Sequence, residues 1–229
     1  MRTKHLICGS LGLALAFAPA AAAQNNNGNA PKPPKTSAIT LDAQPAPVVF
    51  SGVATLSGRV SGDKPGGVTV RLEADSTRPY GDAYVPVNVT ATSDANGKYS
   101  FALKPLLNTQ YRAIAQASPP VTSPAKLVLV RTLVGIRVSD STPARGALVK
   151  FSGSVFPAHD GRRVAIQKRT SSGSFATVAR TTLRDAGNTR STYSRRVRVF
   201  RDGVYRVKIS GDGDHINGFS RARTINVPG

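Results

Sequence analysis

The sequence predicts an all-β chain, with two tandem antiparallel β-sandwich domains behind a signal peptide and a flexible linker. Three observations carry this. From Ile39 onward, apolar and polar residues alternate at a period of two. No window holds a helical period. The same ordered set of strand motifs occurs twice, at an offset close to a hundred residues.

The N-terminus sets the compartment. Arg2, Lys4 and His5 precede an apolar run from Leu6 to Phe17, which Pro19 ends, and Ala21, Ala22 and Ala23 supply small residues for cleavage before Gln24. Residues 1–23 therefore read as a secretory signal, and the apolar run is shorter than the ~20 residues a membrane-spanning helix needs. The single cysteine, Cys8, falls inside this segment, so the exported chain is expected to lack disulfides, thiolate metal sites and a cysteine nucleophile. An exported chain without disulfides fits a bacterial envelope. The end at Val227, Pro228 and Gly229 carries no sorting signal, and no later segment reads as a membrane span. The expected location is extracellular, with non-covalent retention at the envelope. Residues 24–37, QNNNGNAPKPPKTS, have no apolar periodicity and read as a disordered linker.

The two domains are then expected over 38–131 and 132–229. LSGRV from Leu56 returns as FSGSV from Phe151, an offset of 95; VTVRLEA from Val68 returns as VAIQKRT from Val164, an offset of 96. YRA at Tyr111 returns as YRV at Tyr205, and SPAKLVLV from Ser123 as SRARTINV from Ser220, offsets of 94 and 97. Within the first copy Val68, Val70, Leu72 and Ala74 share one parity; Val85, Val87, Val89 and Ala91 share another; Tyr99, Phe101 and Leu103 a third. Each run is a half-buried antiparallel strand, and about seven such strands per copy make a sandwich. Asp94-Ala95-Asn96-Gly97 lies between two of these runs. Asn-Gly tolerates positive φ and predicts a hairpin turn, whereas calcium would need further oxygen ligands that Lys98, Ser100 and Phe101 do not supply. The segment from Leu127 to Val138 joins the copies with almost no linker.

With SGRV, GVTVRLEA, SDANGKYSF and YRAIA in the first copy and FSGSV, VAIQKR and DGVYRVKISGDG in the second, the chain resembles bacterial Ig-like and carboxypeptidase-regulatory-like β-sandwich modules of secreted proteins of actinobacterial type. The resemblance covers about Ile39 to Val227. It implies tandem Ig-like sandwiches serving as spacer, adhesion, display or glycan-binding modules, and no catalytic residues. Asp202 to Val207 resembles the tyrosine corner of Ig sandwiches, with Tyr205 as its tyrosine.

No residue set marks catalysis. The histidines beyond the signal, His159 and His215, stand in PAHDGRR and GDGDHING without a recognisable nucleophile motif, and the one glutamate, Glu73, alternates outward. Asp212, Asp214, His215 and Asn217 were weighed as a metal set. They lack EF-hand spacing and its distal glutamate, so turn chemistry is preferred and neither metal nor cofactor is assigned. Tyr80 and Tyr84 are the best exposed rings for a glycan platform, with Phe175 and Phe219 in the second copy.

Charge is the strongest signal. The chain carries 31 Lys plus Arg against 12 Asp plus Glu. From Ile39 to Val130 eight basic residues face six acids, a net of +2; from Arg131 to Gly229 nineteen face six, a net of +13. Arg196 and Arg198 alternate with Val197 and Val199, and Arg206 and Lys208 with Tyr205, Val207 and Ile209, which places all four basic residues on solvent faces; in an Ig-like topology the first two would lie on one sheet and the last two on the other. The expectation is a non-catalytic structural, adhesive or binding protein of the cell envelope. Its second domain would hold an anionic polymer, such as teichoic-type polyphosphate or acidic glycan, through Arg196, Arg198, Arg206 and Lys208. Nucleic acid is not an expected partner outside the cell. The alternative is a carbohydrate-binding module using Tyr80 and Tyr84.

Overall fold

The computed structural model describes residues 35–228. The expected signal peptide, and the linker as far as residue 34, lie outside the described residues. Among the described residues there is no helix, hence none long and apolar enough to cross a membrane.

In chain order the first sandwich holds β1 (Thr36–Ile39), β2 (Asp42–Gln44), β3 (Val48–Val49), β4 (Ala54–Gly62), β5 (Thr69–Asp75), β6 (Val85–Thr92), β7 (Lys98–Leu103), β8 (Thr109–Ala115), β9 (Val121–Thr122), β10 (Lys126–Val128) and β11 (Val130–Arg131). One sheet centres on β4, with β7 on one edge and β1 and β2 dividing the other. The second runs β10-β8-β5-β6, with β9 also on β8, and β3 runs parallel to β11. Leu56, Val60 and Phe101 from one sheet meet Val70, Leu72, Tyr111 and Ala113 from the other in a common core. Thr36 and Ser37, which the sequence places in the linker, belong to β1 instead. Thr36 pairs through its backbone with Gly62 of β4 and Ser37 sits at a register shift before Ala38 pairs with Ser61, an edge to which apolar periodicity is blind, with Ile39 as the only buried side chain of the strand.

The second sandwich repeats this plan with β12 (Leu133–Val134), β13 (Arg137–Val138), β14 (Ala147–Phe156), β15 (Arg163–Arg169), β16 (Phe175–Thr182), β17 (Arg184–Asp185), β18 (Ser191–Val199), β19 (Gly203–Ile209), β20 (Gly218–Phe219) and β21 (Arg223–Ile225). β14 is flanked by β18 and by β12 and β13, and β17 extends β18. The opposite sheet runs β16-β15-β19-β20, with β21 also on β19. Its core joins Val149, Phe151, Val155 and Tyr193 to Val164, Ile166, Val207 and Ile209.

The repeated motifs have physical causes. In LSGRV, a side chain at Gly58 would collide with Thr40 O and the Tyr99 hydroxyl; in FSGSV, one at Gly153 would collide with Gly135 O and the Tyr193 hydroxyl. Each glycine leaves room for a buried tyrosine to donate to the carbonyl just after the sandwich's first strand. Tyr99 donates to Thr40 O, and Tyr193 to Gly135 O at 2.7 Å. The recurring serine of SPAK and SRAR bonds the neighbouring strand: Ser123 Oγ accepts from Ala113 N–H at 2.9 Å and Ser220 Oγ from Val207 N–H at 2.8 Å.

Two expectations are corrected. The Asp94–Gly97 segment is a turn, but not a hairpin joining its flanking strands: β6 pairs with β5 and β7 with β4, so the chain crosses here from one sheet to the other. Locally, Gly97 N–H donates to Asp94 O (2.8 Å), Gly97 takes φ 78°, and Asp94 Oδ1 accepts from Asn96 and Lys98 N–H (2.8 and 2.9 Å). Asn-Gly encodes the tight turn; it does not encode which sheet receives the next strand. Likewise the tyrosine-corner bond is absent at Tyr205, whose ring packs on Phe151 with centroids 5.2 Å apart. Among the described residues the backbone-bonding tyrosine hydroxyls are those of Tyr99 and Tyr193.

Thr132 alone separates β11 from β12. The loop Ser210–Asn217 bonds the first sandwich around this point: Asn108 N–H donates to Asp214 O (2.7 Å), His215 Nε2–H to Leu106 O (2.8 Å) and Ile216 N–H to Val130 O (2.9 Å).

Candidate functional site

The β14–β18 register decides where the basic residues stand. Val149 and Phe151 point into the core, so Leu148, Lys150, Ser152 and Ser154 point outward. Their partners are Arg198, Arg196, Ser194 and Thr192 respectively. Lys150 therefore lies directly opposite Arg196, two like charges side by side on an exposed face. Arg137 of β13 joins this face opposite Ser152, and Arg184 of β17 joins it opposite Thr192. Beside them an open cleft of about 1000 Å³ is lined by Arg131, Arg137, Lys150, Arg184, Arg190, Arg221 and Arg223. Its apolar floor includes Leu133, Val134, Ile136 and Phe156, and no Asp or Glu lines it. Among the described residues none of these seven basic groups, nor Arg196, forms an ion pair.

The four basic residues singled out from sequence do not form one group. Arg196 and Arg198 lie on the β14–β18 sheet; Arg206 and Lys208 lie on the opposite sheet, paired with Gln167 and Ala165. Arg198 faces solvent, and its Nη1 donates to Gly146 O at 2.8 Å. Arg206 is not a free solvent-face cation. Its guanidinium carbon lies 3.9 Å from the Phe175 ring centre and 4.4 Å from that of Phe219, while Nε donates to Gln167 Oε1 at 2.9 Å. Burial first, and Arg169 second, lower its pKa from the ordinary arginine value. Parity places a side chain on a face but not under its neighbours, which is why the sequence reading missed this.

The rings weighed as glycan platforms are engaged as well. Arg112 stacks 4.0 Å above the centre of Tyr84, whose hydroxyl donates to Gln110 Oε1 at 2.8 Å; burial raises the Tyr84 pKa. Arg78 approaches Tyr80 at 5.9 Å. Glu73 is buried rather than free, because Arg112 and Arg71 close over it at 2.7 and 3.2 Å. Phe175 and Phe219 hold Arg206 between them.

The two histidines come together at Asp212, with the rings 5.4 Å apart. Asp214 and Asn217, which the sequence groups with them, serve the loop: Asp214 N–H donates to Asp212 Oδ1 (2.9 Å), and Asn217 Oδ1 accepts from Gly211 N–H (2.8 Å). No Ser or Thr hydroxyl bonds either imidazole among the described residues; the nearby Ser191 Oγ accepts from the His159 backbone N–H and donates to Asp160.

Sequence reasoning missed Lys150, Arg137 and Arg184. A signal for the first was present. Aligning the copies sets Lys150 against Thr55 and Arg196 against Ala102, and Thr55 pairs with Ala102 in the first sandwich as Lys150 pairs with Arg196 in the second.

Fold and site together define an all-β protein of Ig-like sandwiches whose second sandwich carries basic side chains on both outer sheet faces, Lys150, Arg196 and Arg198 on one and Arg163, Arg180, Arg206 and Lys208 on the other. No family model matches the chain, and no curated protein matches it. Among solved structures, it is similar to a tetra-tandem repeat in the extending region of a large adhesion protein, at 18% identity and TM-score 0.34, over 82% of this chain and 49% of that one. It is also similar to trypsin-activated alpha-2-macroglobulin from Escherichia coli, at 13% identity and TM-score 0.34, over 86% of this chain and 17% of that one. The chain thus spans about half the length of the first and about a sixth of the second.

Proposed function

We propose that this is an exported, non-catalytic envelope protein whose second sandwich holds an anionic polymer on the outer face of β14 and β18 and in the adjoining cleft. One observation carries the reading. At one position of a duplicated fold, the neutral pair Thr55–Ala102 has become the like-charged pair Lys150–Arg196, with no acid lining the neighbouring cleft. Like charges directly opposite each other in a sheet cost stability. A polyphosphate or acidic glycan lying along the face relieves that repulsion and releases its own counterions. Arg196 and Arg198 stay in the site; Arg137, Lys150, Arg184 and Arg190 join it. Arg206 leaves it, because its guanidinium is already engaged, and Lys208 stands on the opposite sheet. Tight retention on a polyanion, steeply weakened by salt, and no retention on a neutral glycan support the reading. The reverse pattern, lost in Tyr84→Ala, supports the carbohydrate-binding alternative instead.

A further inference from the structure

Independently of the basic face, the loops that meet at the junction of the two sandwiches bring three ligand groups together. His159 comes from the loop after β14, and Asp212 and His215 from the loop after β19. Their nearest ligand atoms all lie within 4.8 Å of one another.

The hydrogen bonds place one proton on each ring. His159 Nδ1 is 2.8 Å from Pro157 O, and His215 Nε2 is 2.8 Å from Leu106 O. A carbonyl only accepts, so both of those nitrogens carry protons. In the neutral rings the other nitrogens, His159 Nε2 and His215 Nδ1, are bare lone pairs. Both point at the Asp212 carboxylate, at 3.0 Å from Oδ2 and 3.5 Å from Oδ1. His215 is 4% exposed, and its Nδ1 has no hydrogen-bond partner. With both rings neutral, three acceptors converge with no donor between the rings and the carboxylate. A cation placed among them resolves the conflict.

The surroundings are those of a ligand set. Each imidazole is oriented through its other N–H by a backbone carbonyl, the outer-shell arrangement typical of metal-bound histidine. Arg162 fixes the loop from the solvent side, donating to Asp212 Oδ2 (2.5 Å), Ser210 O (2.9 Å) and Gly211 O (3.0 Å). Asp212 Oδ1 also accepts from His215 N–H at 2.7 Å and Asp214 N–H at 2.9 Å. Zinc bonds of ~2.0–2.2 Å put tetrahedral ligand atoms roughly 3.3–3.6 Å apart; the nitrogen–oxygen distances, 3.0 Å to Oδ2 and 3.5 Å to Oδ1, lie near this range, and closing the 4.8 Å spread of the whole set takes a small shift of the loops.

We infer that His159, Asp212 and His215 bind one divalent first-row transition ion of the zinc type and so tie the second sandwich's loops together where they touch the first. Two imidazoles and a carboxylate suit zinc, cobalt or nickel and not calcium, which takes oxygen ligands. This departs from the sequence reading, which assigned no metal, because the third ligand stands 53 residues before Asp212 and outside its local motif.

The test uses the tag-free full chain after chelation, titrated with Zn²⁺ by calorimetry and with Co²⁺ by visible absorption. The expected result is one ion per chain, a cobalt ligand-field spectrum and a melting temperature that rises with zinc but not with calcium. His159→Gln and His215→Gln should each weaken binding by more than about tenfold, a loss that outer-shell changes alone already reach. His5→Gln, the one other histidine, should change nothing. The cobalt spectrum of the unaltered chain keeps the test decisive if a variant misfolds. Absence of zinc and cobalt binding at micromolar ion, or binding undiminished in the His159→Gln/His215→Gln double variant, overturns the inference.

Discussion

Lys150 stands directly across the β14–β18 pair from Arg196, at the place where the first sandwich sets Thr55 opposite Ala102. The double substitution Lys150→Thr, Arg196→Ala copies the first sandwich into the second. Removing a like-charged cross-strand pair should raise stability by about 0.2–1 kcal/mol at low ionic strength. Salt should shrink the gain, because screening already weakens the repulsion in the unaltered chain. Urea denaturation at two salt concentrations measures it. A loss of stability would mean that the pair is held by contacts other than its charges.

Arg206 should behave differently from the basic residues around it. Stacked between Phe175 and Phe219 and bonded to Gln167, it should cost about 1–2 kcal/mol when changed to Gln, through lost cation–π contact and packing. Lys208→Gln on the same strand should stay within about 0.5 kcal/mol. Thermal melts of both variants decide the point, and equal effects would contradict the assignment of Arg206 to structure.

Asp75 gives the first sandwich an acid sensitivity. Backbone N–H groups hold its carboxylate, first Gly81 (2.6 Å to Oδ2), then Thr77 (2.9 Å to Oδ1), with Ala83 behind them at 3.2 Å. They lower its pKa below the ordinary 3.8. A carboxyl whose folded pKa is depressed stabilises fully above its unfolded value and loses that contribution as pH falls through the folded one. Asp75→Asn should therefore be less stable than the parent at neutral pH, and the difference should narrow below pH ~4. A gap that stays constant down to pH ~2 would contradict this.

Each sandwich has its own hydrophobic cluster, and one residue, Thr132, separates the strands that close one and open the other. Separate chains ending at Arg131 and starting at Leu133 should each unfold cooperatively. The second should be weakened by loss of the bonds from His215 to Leu106 and from Ile216 to Val130. A half with no cooperative transition would show that the junction is part of its core.

What the sequence made legible was whatever repeats or alternates. The period-two runs place β5, β6, β7, β18 and β19, the repeated motifs place β4, β14 and β15, and the offsets of 94 to 97 align Ser123 with Ser220 and Tyr111 with Tyr205, partners of equal standing in the two sheets. Parity also sent Arg196 and Arg198 outward correctly. Beyond the basic residues already named, long-range pairing escaped it. Strand β1 pairs through backbone and buries only Ile39, so Thr36 and Ser37 read as linker. The crossing after Thr92 depends on which sheet is free to accept β7, a long-range property that Asn-Gly does not encode. The encounter of His159 with Asp212 and His215 joins loops at opposite ends of the second copy, a closure that only the folded sandwich provides.

The β14–β18 face is proposed to hold polyanion by charge. Retention of the full chain on immobilised polyphosphate across a salt series tests it most directly, comparing the parent with Lys150→Thr, Arg196→Ala. Log affinity should fall linearly with log salt, and removing two phosphate-contacting cations should flatten the slope by about 1.4–1.8, at ~0.7–0.9 per contact. Salt-insensitive retention, or an unchanged slope in a folded variant, would contradict it.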